Sequence, residues 1–179
     1  MPKLTARSFV RYWLPAICWL TIIAIESTSL LSAHNTSGII EPILRWLFPR
    51  FSPEQIDYIH GIGRKVGHFA GYGILSYFFF RAFRGTYHIH QGTEELLRHK
   101  VVPAGQRLFE ILWRSNWALL ALLFTFAVAS ADEIHQMSLP SRTGTWWDVL
   151  LDTTGAAIIQ LIILAIISAR SRRSLPVSS

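Results

Sequence analysis

An all-α, polytopic membrane protein, with about four transmembrane helices and short interfacial helices on the outer side, is predicted by three observations. Of the 179 residues 51% are apolar and only 16% charged, where a soluble domain carries about a quarter charged. Four apolar stretches reach or approach the roughly 20 residues that cross a bilayer at about 1.5 Å rise each. Trp13, Trp113, Trp117, Trp146 and Trp147 gather at the ends of those stretches, as residues of a membrane interface do.

The first stretch runs from Phe9 to Leu31. Its basic start and apolar centre resemble a signal peptide. The apolar run, however, exceeds the roughly 7 to 15 residues of such a segment, and "LLSAH" is a poor cleavage site, so a retained span is expected. Cys18 lies within this stretch as the single cysteine, which excludes an intramolecular disulfide and a cysteine-based metal site.

The following connection, residues 32 to 63, holds two short elements. "SGIIEPILRWLF" places Ile40, Ile43, Leu44 and Leu47 on one helical face, suited to lying along the membrane surface. "SPEQIDYIHGIG" then carries helix-start chemistry, with Ser52 as the cap, Pro53 at the first helical position and Gln55 three residues after the cap. Gly61 or Gly63 is expected to stop that helix.

The second span is expected over Val66 to Phe83, opening with Lys65 and His68. From Arg84 to Ser115 a connection is predicted, a Gly-punctuated loop followed by "RLFEILWR", which continues into the next span. His88 and His90 have no third ligand nearby and read as solvated loop histidines. The third span runs from Asn116 to Ser130 with a polar extension, and the fourth from Trp146 to Ser168.

Basic residues set the expected orientation. Lys3, Arg7 and Arg11 precede the first span, Arg81, Arg84, Arg98, Lys100, Arg107 and Arg114 fall in the second connection, and Arg170, Arg172 and Arg173 follow the last. Arg45, Arg50, Arg64, Lys65 and Arg142 lie on the other side. Both termini are therefore expected in the cytoplasm, and topology with acidic lipid accounts for the net charge of +6 without any nucleic acid.

Ionisable groups at the bilayer centre cost roughly 2.5 to 3.5 kcal/mol each, so their depth is informative. Glu26 and Asp132 fall about 25 Å along helices crossing a core of about 30 Å. Lys65 and His68 open the second span and Asp148 and Asp152 the fourth, on the same outer side. Lys65, His68 and Tyr72 follow an i, i+3, i+7 stripe, Asp132 or Glu133 pairs with Gln136 at i+4 or i+3, and Asp148 and Asp152 are four apart. All these stripes can face one interior point, where Arg142 and Arg64 supply further positive charge. Gly67, Gly71, Gly73, Gly155, Ala156 and Ala157 would let backbones approach, Gly67 and Gly71 as a GxxxG. His135 reads as an interfacial polar residue.

"RKVGHFAGYGILSY" and "ADEIHQMSLPSRTGTWWDVLLDTTGA" together resemble the two signatures of the VanZ-like family. These are small integral membrane proteins whose name-giving member is linked to low-level teicoplanin resistance. The family pattern falls here on Lys65, His68, Phe69 and Tyr72, then Glu133 and Gln136, Arg142, Asp148, and Gly155 with Ala156. The resemblance covers residues 10 to 168 as one domain and leaves 169 to 179 as a short basic cytoplasmic tail. Two positions depart from it: Asp152 stands where Asn is expected, and Ile159 where a second Gly often follows, which predicts looser helix packing there. The resemblance implies an envelope role connected with glycopeptide tolerance, and no particular reaction.

Three function classes use these residues. The first is binding of an envelope lipid or glycopeptide-like amphiphile, with Lys65, Arg142 and Arg64 holding anionic groups and Glu133, Gln136 and Asp148 holding hydroxyl or amine groups. Tyr72 and Asp152 complete that set. The second is a membrane enzyme with His68, Glu133 and Asp148 as catalytic candidates, although "DEIHQ" lacks the second histidine of a zinc motif and GxSxG is missing. A hard cation at Glu133, Asp148 and Asp152 belongs to that reading; no resident metal or cofactor is expected. The third is an ion-coupled transporter, which needs ionisable residues at the midplane, where Glu26 is the deepest found. Membrane lipids are the expected partners, and a homo-oligomer would give four spans a pathway.

Overall fold

The computed structural model describes residues 6–29, 33–91, 104–140 and 144–173. Among these there are five helices and no strand: α1 Ala6–Glu26, α2 Ala33–Leu47, α3 Pro53–Gln91, α4 Ala104–Met137 and α5 Trp146–Arg173. Three of them, over Phe9–Glu26, Ser115–Met137 and Trp146–Ala169, are long and apolar enough to cross a membrane. The protein is an all-helical membrane protein.

The expected second span lies inside α3, whose 39 residues extend about 58 Å. α3 is the central helix, in contact with α1, α2, α4 and α5. Neighbouring helices replace lipid around it, so it tolerates a less apolar composition. Ser52 caps its start as expected: Ser52 Oγ accepts from Gln55 N–H at 3.3 Å, and Gln55 Oε1 accepts from Ser52 N–H at 2.9 Å. The expected stop does not occur. Gly61 and Gly63 sit within α3 with open space where a side chain would be; a glycine inside a helix costs only about 1 kcal/mol, which the surrounding packing offsets. The predicted loop is shorter as well, since α3 continues to Gln91, past His88 and His90, and α4 begins at Ala104. The side chains of His88, His90 and Trp113 lie outside the described residues.

α1 and α4 run one way and α3 and α5 the other. Trp19 donates to the Gly71 carbonyl at 2.8 Å and Trp13 to Thr86 Oγ1 at 2.8 Å, so α1 descends as α3 rises. α3 and α5 are parallel, with Gln160 donating to the Ser76 carbonyl at 3.0 Å and its hydroxyl at 2.7 Å, deep in the bundle. Phe79 and Phe80 of α3 and the small Ala118, Ala121 and Ala129 of α4 share the core with Tyr72 and Leu75, large against small, which lets the layers interdigitate.

The closest helix approach is not at Gly67 and Gly71, where an added Cβ meets nothing within 4 Å. It is at Gly155 of α5, against the Phe69 backbone carbonyl, and at Gly73 of α3, whose Cβ would lie 3.0 Å from Ile159 Cγ1. The expected loosening at Ile159 is therefore not seen: the glycine absent from α5 is matched by Gly73 on α3.

The face expected on α2 divides. Ile40 and Leu44 turn inward and are half-buried, while Ile43 and Leu47 face out with Ile39 and Trp46, which is 79% exposed. That outer apolar surface suits a helix lying on or in the membrane interface.

Gly155→Ala is expected to lose about 1 to 3 kcal/mol, because its Cβ meets backbone that cannot move aside. Gly67→Ala is expected to gain up to about 1 kcal/mol through helix propensity. Unfolding in detergent micelles reads both.

Candidate functional site

The C-terminal ends of α1 and α4, the N-terminal half of α3 and the start of α5 meet at one end of the bundle. Lys65, His68, Tyr72, Glu133, Gln136, Asp148 and Asp152 all fall there; Arg142 lies outside the described residues.

The stripes meet as paired contacts. His68 of α3 faces Asp152 of α5, Nδ1 to Oδ2 at 3.6 Å, with the Asp152 side chain 1% exposed. One turn earlier Lys65 Nζ lies 3.9 Å from Asp148 Oδ1, with Lys65 67% exposed, so this pair is wet and weak. Both contacts follow from two helices running parallel with i, i+3 spacing on one and i, i+4 on the other. Asp152 thus carries a carboxylate where the resemblance predicts Asn, and a histidine stands beside it. Its second oxygen, Oδ1, is buried without a hydrogen bond.

A second set ties α3 to α4. Asp132 Oδ2 accepts from Tyr72 Oη at 2.7 Å and from Gln136 Nε2 at 3.0 Å. Glu133, 2% exposed, accepts the Thr145 backbone N–H, and the Thr145 hydroxyl donates to Asp148 Oδ2 at 2.8 Å. Thr145 caps α5, with Asp148 in its first turn, where negative charge complements the helix dipole. Glu133 therefore pins the start of α5 to the end of α4. His135 bridges to α1, Nδ1 to Ser27 Oγ at 3.0 Å.

Glu133, Gln136 and Tyr72 are thus engaged with other protein groups. Among the described residues, no three His, Cys, Asp or Glu side chains come together as a metal site: Glu133 and Asp148 are both bonded to Thr145, and Asp152 faces His68.

What stands open is a cavity of about 350 Å³ between the end of α1, α2 and α3. Its wall combines Glu26 of α1, Ile40 and Leu44 of α2, and Arg64, Gly67 and His68 of α3. His68 therefore belongs to both features, with Asp152 on one side and the cavity on the other. His60, 7% exposed, also lines it and lies 3.4 Å from Thr36 Oγ1 through Nε2. His60, Arg64 and His68 form an i, i+4, i+8 stripe on α3. That spacing is visible in the sequence and is hidden only if the helix is stopped at Gly61 or Gly63.

Tyr72→Phe removes one of the two donors to Asp132 and is expected to cost about 0.6 to 2 kcal/mol. Glu133→Leu leaves the Thr145 N–H unpaired and is expected to cost about 1 to 3 kcal/mol, whereas Glu133→Gln keeps an acceptor and costs less. Chemical unfolding of the three variants in micelles checks that order.

The VanZ/LLP1 family model matches residues 12–168. No curated protein and no solved structure matches the chain. With nearly the whole helical bundle covered, the chain belongs to the VanZ/LLP1 family.

Proposed function

We propose that this VanZ-like membrane protein crosses the bilayer four times, with α3 as the fourth crossing and both termini cytoplasmic. In this reading it binds the polar head of an envelope amphiphile, a lipid or a glycopeptide-like molecule, at the outer end of its bundle. Tolerance of glycopeptide antibiotics would follow from that binding.

The observation that carries the reading is the cavity of about 350 Å³ placed against the polar cluster. One wall is apolar and the other bears charged and hydrogen-bonding groups, the pattern of a site for a molecule with a greasy and a polar part. Lys65, His68 and Arg64 are the groups available to a ligand. Tyr72, Glu133 and Gln136 hold the wall behind them. The topology is supported by the opposite end of the bundle, where Arg81 of α3 donates to the Arg11 carbonyl of α1 at 3.2 Å, with Arg84 and Arg7 one turn away on the same two helices.

The His68–Asp152 pair favours a second reading, a membrane enzyme. A histidine oriented by a buried carboxylate and open to a cavity has the arrangement of a general base. Release of a water-soluble product from labelled membrane lipids by the purified protein, lost in His68→Gln, would select it over binding alone.

Gly67→Leu tests the binding reading, because open space lies beside Gly67. Leucine there is expected to lower the lipid retained by the purified protein, read by native mass spectrometry, at least about tenfold with helicity unchanged. Retention equal to that of the original protein contradicts the reading. Tags at the two termini are expected to be reached by protease only in permeabilised cells.

A further inference from the structure

His60, Arg64 and His68 recur every fourth residue on α3, so each lies about 6 Å further along one face of the helix than the last. All three line the cavity between α1, α2 and α3. Each histidine gives one ring nitrogen to the protein, His60 Nε2 lying 3.4 Å from Thr36 Oγ1 and His68 Nδ1 3.6 Å from Asp152 Oδ2. The second nitrogen of each ring remains for a ligand. Arg64, between them, takes part in no ion pair among the described residues. Glu26, on the α1 wall, has an interaction of its own within the protein and makes no demand on a ligand.

A guanidinium half out of water attracts an anion, since a partly desolvated charge is poorly satisfied alone. Its planar fork holds two oxygens of one carboxylate or one phosphate. The flanking rings separate the two. A carboxylate keeps both oxygens in the plane of the fork, whereas a tetrahedral phosphate also points oxygens out of that plane, toward donors one turn to either side. In the imidazolium form both nitrogens of a histidine donate, so the second nitrogen of each ring can serve such an oxygen.

The space around the stripe suits a lipid. About 350 Å³ falls at the lower end of sites for organic molecules. Gly63 and Gly67, beside the stripe, leave it open. Across the cavity Ile40 and Leu44 form an apolar wall, and the outer side of the same helix exposes Ile39 and Ile43. An acyl chain can thus leave the cavity along α2.

From this we infer that His60, Arg64 and His68 form a phosphate site, and that the cavity takes the phosphate of a membrane phospholipid. The phosphate sits at Arg64 between the two rings, and the acyl chains run along Ile40 and Leu44. This rests on the amphiphile-binding reading of the same cavity and names the group it recognises.

The test offers the full-length protein, purified in detergent, an equimolar mixture of phosphatidylglycerol and a galactosyl diacylglycerol with the same acyl chains, and native mass spectrometry counts the lipid retained. Phosphatidylglycerol is expected to be retained about tenfold over the galactolipid. Arg64→Gln is expected to bring the two to equal retention, and Arg64→Lys, which keeps the charge and loses the fork, to leave a preference of about threefold. Millimolar inorganic phosphate is expected to displace neither. Equal or stronger retention of the galactolipid by the original protein, or a preference that survives Arg64→Gln in full, overturns the phosphate site while leaving amphiphile binding standing. Displacement of phosphatidylglycerol by inorganic phosphate overturns the lipid as the source of the phosphate. Retention of neither lipid, or no effect of Gly67→Leu on either, overturns the amphiphile reading itself.

Discussion

The contact between His68 and Asp152 is the constraint on which the arrangement turns. Asp152 is buried on α5 and has no other polar partner for either oxygen among the described residues. A carboxylate in a low-dielectric interior needs a cation or a donor beside it, and α3 must present His68 at that height. The same interface carries the close approach of Gly155 to the Phe69 carbonyl, Gly73 against Ile159, and the Ser76–Gln160 hydrogen bonds. Polar pairing and small residues thus fix one parallel register of α3 on α5, and α1 and α4 pack around that pair.

Holding α3 at the centre explains why a helix with Arg64, Lys65 and His68 in its N-terminal half can exist in a membrane protein. Tyr72, Gly73, Leu75 and Phe79 meet other helices, and its charged segment falls at the end where α1 and α4 finish and α5 begins. There the carboxylates of α4 and α5 face it. The cavity is a consequence of the same geometry. α3 extends beyond the others, α2 leans on its projecting part, and the glycines on the intervening face leave space unfilled.

Much of this was legible in the sequence. Helical spacing placed Lys65, His68 and Tyr72 on one stripe and Asp148 and Asp152 on another, and the structure brings those stripes together. The partners were not legible, because spacing along one helix says nothing of the register between two, and here that register depends on the contact of Gly73 with Ile159 and of Gly155 with Phe69. The GxxxG at Gly67 and Gly71 misdirects for the same reason: its open side faces space, not a helix. His60 and Arg64 were hidden by reading Gly61 and Gly63 as a stop. In a helix supported by α1, α2, α4 and α5, glycine interrupts nothing. Asp132 and Glu133 differ in role although adjacent, because successive residues on a helix point about 100° apart, one to Tyr72 and the other to Thr145.

A double-mutant cycle across the α3–α5 interface tests the central claim most directly: His68→Gln, Asp152→Asn and the pair together, each read by reversible unfolding in micelles. The account predicts that the single changes are destabilising and that the double variant loses less than their sum, by at least about 1 kcal/mol. Additive losses would show that the two side chains do not sense one another, and would contradict the claim that their contact sets the register.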